Sequence, residues 1–277
     1  MKKLYARLAL LSPLFLLGFV LIAQAAATGI IRPNSDGAYT AWTPSTGSTH
    51  YTLVDETTCN GNTDRNSTNT VGNRDSYGVS LSSIANGSQI TQIAIVPCAS
   101  RNSTGGGGSS TMNVFYRLNG ADSADAGAYA LTGTTPVKLA TTSFSGLAVN
   151  KGSATTLQIG AVYSSGTKGA RLSNIATMIT YTALNAPSGL VATATSSSQI
   201  DMTWVDNSTI EENFALERGV IVGTSTVFSF LATTSANTTS YSDTGLSSST
   251  VYKYRLRTYN SGGFSVYSNT ATATTTP

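Results

Sequence analysis

The 277-residue chain holds one histidine and two cysteines, too few for a closed tetrahedral metal site unless an acid joins them. It contains no Asp-x-Asp-x-Asp-Gly loop and no Gly-x-Ser-x-Gly elbow, so the EF-hand and α/β-hydrolase signatures are both missing. Charged residues make up only 10% of it. No stretch repeats apolar residues every 3.6 positions, and the abundant Ser, Thr, Asn and Gly are poor helix formers. Long helices are therefore not expected. A run of four glycines lies within residues 104–110, but neither a helical pattern nor a lysine follows it. A phosphate cradle needs both, so a flexible hairpin connection is expected instead.

What is present begins with a leader. Lys2, Lys3 and Arg7 precede an apolar run over residues 8–23, which closes on Ala23-Gln24-Ala25. A positive start, an apolar middle and a small-x-small end specify a signal peptide over residues 1–25. The run is shorter than the ~20 residues that span a bilayer, which disfavours the competing reading as an uncleaved anchor. No cysteine follows it to carry a lipid, and no second apolar run occurs. The expectation is an extracellular or cell-surface protein whose mature chain has no membrane span. The leader also accounts for the net charge of +3, because it holds three of the 16 basic residues and none of the 13 acids. The remaining chain is near neutral and lacks a basic nucleic-acid footprint.

Residues 28–183 alternate apolar and polar positions in short runs. Residues 50–55 form one; Tyr77, Val79 and Leu81 another; then Ile93 and Ile95; Val114, Tyr116 and Leu118; Leu157, Ile159, Ala161 and Tyr163; and Ile175, Thr177, Ile179 and Tyr181. Period-two patterning places one set of side chains on one sheet face, so each run reads as a half-buried strand. Eight or nine such strands suggest a jelly-roll-like sandwich. Residues 60–73 read as a long polar loop held at its base by Cys59. Cys59 and Cys98 are expected to form a disulfide in an oxidising compartment, against the alternative of two buried free thiols.

Residues 185–277 follow a more specific pattern. Ala186-Pro187-Ser188-Gly189-Leu190 opens it, Ile200-Asp201-Met202-Thr203-Trp204 follows, and then Phe214-Ala215-Leu216-Glu217-Arg218. Tyr241-Ser242-Asp243-Thr244-Gly245-Leu246 precedes Thr250-Val251-Tyr252-Lys253-Tyr254-Arg255-Leu256. In order and spacing this closely resembles a fibronectin type III domain. The resemblance implies an immunoglobulin-like sandwich with Trp204 buried on strand B and Tyr252 as the tyrosine-corner residue. The F–G region has no Arg-Gly-Asp, so the family's best-known adhesive tripeptide is absent. More faintly, Pro33-Asn34-Ser35-Asp36-Gly37, Trp42, residues 50–56 and Arg74-Asp75-Ser76-Tyr77 resemble an uncharacterised sandwich domain of exported bacterial and phage surface proteins. The fold class expected is all-β, with two sandwiches in tandem.

Candidate chemistry is sparse. Catalysis by His50 would need a partnering acid and a positioned serine, and a lone histidine is more often packed, so no enzyme activity is expected. Asp36, Asp55, Glu56, Asp64 and Asp75 lie in or beside loops and supply oxygens of the kind calcium takes; beyond that ion no cofactor is expected. Asn66, Asn86, Asn102, Asn207 and Asn237 start Asn-x-Ser/Thr triplets, which arise by chance in so Asn- and Ser-rich a chain. Tyr39, Trp42 and His50 are the candidate ligand contacts. With Tyr51, these rings would stack on sugars if exposed in a row, whereas burial would remove them. The expected function is surface binding or adhesion to an extracellular protein or glycan, with ligands bound by residues 28–183 and 185–277 as a spacer. The alternative is a carbohydrate-binding or other non-catalytic part of a polysaccharide-active enzyme.

Overall fold

The computed structural model describes residues 25–55, 57–59, 64–103 and 108–277. The leader up to residue 24, Glu56, residues 60–63 and residues 104–107 lie outside the described residues. Within them every regular element is a strand, apart from one 3-10 turn at Tyr51–Leu53. No helix there is long and apolar enough to cross a membrane.

The first sandwich packs a seven-stranded sheet on a six-stranded one. The larger runs Val137–Lys138, Gln89–Arg101, Ala170–Thr182, Asn66–Thr68, Thr43–Pro44, with Thr142–Asn150 and Ala25–Ala27 added on the two long strands. The smaller runs Pro33–Thr40, Arg74–Val79, Leu157–Gly166, Ser110–Leu118, Ala121–Asp122, with Ala126–Leu131 also on Ser110–Leu118. Alternation sets which side chains meet between the sheets. Leu157, Ile159, Ala161 and Tyr163 from one layer and Ile93, Ile95, Ile175 and Ile179 from the other are buried in a single core. Cys59 and Cys98 are bridged, closing 39 residues of chain, with their Cα atoms 5.6 Å apart.

Two expectations need correction. Residues 50–55 are not a strand: His50 is in the right-handed helical region and Tyr51–Leu53 makes a single 3-10 turn. Leu53 and Val54 are both buried, so the apolar pair that suggested a strand faces inward from a turn. Residues 60–73 are not all loop, because Asn66–Thr68 pairs with Ala170, Arg171 and Leu172. The polar side chain of Asn66 hid this strand; it is fully buried, its Nδ2 donating to the His50 carbonyl and the Tyr77 hydroxyl. Burial also removes Asn66 as a glycan acceptor. The strand that carries Ile93 and Ile95 runs from Gln89 through Pro97 to Arg101. Proline cannot donate to a ladder, and the facing strand shifts register between Leu172 and Asn174, beside Ile175, the partner of Pro97.

In the second sandwich, Ser188–Ala194, Gln199–Val205 and Ser240–Thr244 form one sheet. Ser225–Ser235, Asn213–Val222, Val251–Asn260 and Gly263–Phe264 form the other, with Ala271–Thr274 also on Val251–Asn260. Trp204, Phe214, Leu216, Tyr252, Tyr254 and Leu256 are buried together between them. Tyr252 accepts a hydrogen bond from the Ser247 backbone N–H at 3.1 Å, the contact implied for the corner tyrosine.

The two sandwiches touch through a turn. Asn260, fully buried, donates from Nδ2 to the Gly87 carbonyl at 2.7 Å and the Ile210 carbonyl at 3.1 Å. Its Oδ1 accepts from the Gly262 N–H. Asn150 donates to the Ser261 hydroxyl at 2.9 Å. A side chain on Gly262 would sit 2.9 Å from the Lys151 carbonyl oxygen, so the backbones approach as closely as glycine alone permits. The connecting segment is tied down as well, Asn207 donating to the Ala186 carbonyl and Thr258 to that of Asn185.

Candidate functional site

The three candidate contacts of the first sandwich do not form an open row. Trp42 is buried, and its indole N–H donates to the Asn73 carbonyl at 2.9 Å. Tyr39 is half-buried, edge-on to Phe115, with Arg74 and Arg117 over its ring. Its hydroxyl donates to Asp122 at 2.6 Å, and that hydrogen bond is the main reason its acidity falls. His50 is buried, its Nδ1 2.9 Å from Asp75 Oδ2. These residues pack and pair with the protein itself.

His50 belongs to a sealed network. Asp75, with no exposed surface, also accepts from the Tyr77 hydroxyl at 2.9 Å, and Asn66 joins Tyr77 to the His50 backbone. Burial pushes the Asp75 carboxyl up to about 6, against the hydrogen bonds from His50 and Tyr77 that favour its charged form. Such a pair resembles the acid–base half of a catalytic triad. Among the described residues, however, no serine or threonine hydroxyl bonds the His50 ring.

Two of the calcium candidates already serve the protein's own hydrogen bonds. Asp36 accepts the Tyr51 N–H, Asp75 is committed to His50 and Tyr77, and Glu56 lies outside the described residues. Among the described residues no group of three His, Cys, Asp or Glu side chains is placed to hold a metal. Beside the disulfide, a cavity of about 190 Å³ opens between Ile30, Arg32, Lys138 and Met178.

The richest open surface lies where sequence reasoning did not look, on the outer face of the larger sheet of the second sandwich. Period-two geometry projects Lys253, Arg255, Arg257 and Tyr259 from one side of Val251–Asn260, while Tyr254, Leu256 and Thr258 are buried on the other. Arg255 lies 4.1 Å from the Phe228 ring centre and 3.8 Å from that of Tyr267. Arg257 lies 4.6 Å from Tyr267 and 3.9 Å from Phe264. Ring and cation thus alternate in a ladder of five members. Glu217 binds Arg255 at 2.6 Å and accepts the Tyr267 hydroxyl at 2.6 Å. Burial raises its carboxyl, but these hydrogen bonds and the two arginines outweigh that and hold it below the ordinary value. Phe230 is 68% exposed and Phe264 44%, on a cleft of about 510 Å³ shared with Asn213, Glu217, Thr233 and Arg257. The alternation Lys253-x-Arg255-x-Arg257-x-Tyr259 was the available signal; matching this half to a core pattern drew attention to the opposite face.

No family model matches the chain. An alpha-amylase of Niallia circulans is 37% identical over 93 residues, 32% of this chain. That stretch is 6% of the amylase, so the chain spans a small fraction of the length of the curated relative it matches. Among solved structures, an Fn3-like protein from Clostridium thermocellum is 25% identical, with a TM-score of 0.28, over 32% of this chain and 88% of its own. FN3tt is 23% identical, with a TM-score of 0.27, over 33% and 97%. The sixth fibronectin type III domain of human fibronectin type III domain containing protein 3 is 22% identical, with a TM-score of 0.28, over 33% and 84%. These neighbours are fibronectin type III domains, each covering about a third of the chain.

Proposed function

We propose that the protein is an exported, non-catalytic binding module that holds an extracellular glycan against the second of two locked sandwiches. The observation that supports this is a contrast in access. The His50–Asp75 pair is sealed in the core, whereas the aromatic and cationic side chains around Arg257 stand open on a sheet face. The joint at Asn260 fixes that face relative to the first sandwich, and a rigid scaffold lowers the entropy lost on binding. The disulfide suits an oxidising compartment. The likeness to a short stretch of an alpha-amylase supports a place beside polysaccharide-active machinery, as a non-catalytic part.

A second reading, adhesion to a protein through the first sandwich, is favoured by the cavity beside the disulfide, where Ile30 and Met178 are exposed. Co-sedimentation of the full exported chain with cell-wall and exopolysaccharide fractions, alongside an assay for new reducing ends, separates these readings. Retention without reducing-end release supports the glycan module. Release would make the protein an enzyme, and binding only to protease-sensitive sites on cells would make it an adhesin.

A further inference from the structure

Five arginines lie over aromatic rings among the described residues, and four of them have a carboxylate partner. Arg74 pairs with Asp125, Arg117 with Asp122, Arg218 with Asp243 and Arg255 with Glu217, all at 2.6–3.1 Å. Arg257 is the fifth. It is held between Phe264 and Tyr267, its Nε is buried without an acceptor, and among the described residues no carboxylate forms a salt bridge with it, Glu217 acting on it only at longer range. The same face carries Lys253 and Arg255 against the single acid Glu217, so the charge there is positive in balance.

We propose that the cleft between Phe230 and Phe264 binds an acidic polysaccharide, with a uronate carboxylate of the ligand taking the place at Arg257 that an Asp or Glu takes at the other four arginines. The inference rests on the glycan reading above and adds the ligand class and the site. A guanidinium fixed by stacking offers its donors as a planar fork, which a carboxylate meets with two parallel hydrogen bonds. Stacking on two rings also fixes the side chain beforehand, so little rotamer freedom is lost on binding. The exposed rings give flat apolar surface for the C–H faces of a sugar, and Asn213 and Thr233 at the rim supply partners for its hydroxyls. The cleft's volume falls in the range of about 300–1,000 Å³ usual for ligand sites. Nucleic acid is disfavoured by charge, because three cations less one acid neutralise few phosphates and binding strength follows that number.

The test is affinity electrophoresis of the full chain in gels holding polygalacturonate, amylose or double-stranded DNA, with Phe230→Ala and Arg257→Gln compared with the unaltered chain. Phe230 is so exposed that its truncation leaves the fold intact, which keeps the test decisive if Arg257→Gln disturbs the ladder. The expected result is retardation on polygalacturonate that weakens with salt, is cut at least tenfold by Arg257→Gln, and is cut severalfold by Phe230→Ala with an unchanged melting temperature. Retention on polygalacturonate untouched by both variants overturns the site. Equal retention on amylose, lost with Phe230→Ala but not with Arg257→Gln, overturns the acidic class while the glycan reading stands. Retention on DNA alone overturns both in favour of a nucleic acid, and retention on no polymer refutes the glycan reading itself.

Discussion

Asn260 of the second sandwich donates to the Gly87 carbonyl of the first at 2.7 Å while fully buried. Every polar atom of its amide has a partner, counting Ile210 and Gly262. Asn260→Ala leaves the buried Gly87 carbonyl and the part-buried Ile210 carbonyl without their donor, a cost of about 1–3 kcal/mol. The expected outcome is a looser joint, seen as a larger radius of gyration by X-ray scattering and faster proteolysis near residues 183–187. An unchanged scattering curve would mean that the turn merely rests against Gly87.

Tyr252 accepts the Ser247 N–H and is buried. Tyr252→Phe removes that acceptor from the backbone N–H, and the second sandwich should lose about 1–2 kcal/mol. Urea denaturation of the full chain, followed by Trp204 fluorescence against Trp42 in the first sandwich, locates the loss. A shift confined to the Trp42 transition would contradict the assignment.

The second sandwich was legible through its resemblance to a fibronectin type III domain, which implied a buried Trp204 and a corner Tyr252, and both lie in its core. The first was legible strand by strand wherever Ile, Val and Tyr alternate, as at residues 157–163. It failed where polar residues are buried. Asn66 and Asp75 look like loop residues, and only tertiary partners far along the chain show that they belong to strands. The ladder around Arg257 was half legible. Period two sets the arginines on one face, but Phe228 and Phe264 reach them from other strands, which local pattern cannot show.

The Cys59–Cys98 bridge closes 39 residues and ties the segment after the 3-10 turn to a central strand. Constraining a loop of that length in the unfolded chain is worth about 4 kcal/mol on the chain-entropy account. Replacing both cysteines by serine should therefore lower the denaturation midpoint of the first sandwich and leave that of the second unchanged. Alkylation without reduction, read by intact mass, should add no label to the unaltered protein. Two labels would mean free thiols.

Asp75 predicts an unusual pH dependence for the first sandwich. Burial raises its carboxyl from 3.8 to about 6 in the folded chain, so between those values the folded state holds a proton that the unfolded state has lost. The resulting stabilisation is fully present below the unfolded value and is lost as pH rises through the folded one. Other carboxylates act in the opposite sense: Glu217 and Asp122 are held low, so their stabilisation fades as pH falls. The Asp75 effect must then be read as a difference from Asp75→Asn, which cannot ionise. Between pH 4 and pH 7 the unaltered chain should lose on the order of 1–3 kcal/mol relative to that variant. The groups facing the carboxyl are His50, Tyr77 and, at longer range, the like-charged Asp36. Because the His50 contact holds the carboxyl down against burial, His50→Gln should move the window to higher pH. Equilibrium denaturation monitored at Trp42 over this range measures both effects, and parallel curves for the unaltered chain and Asp75→Asn would refute the assignment.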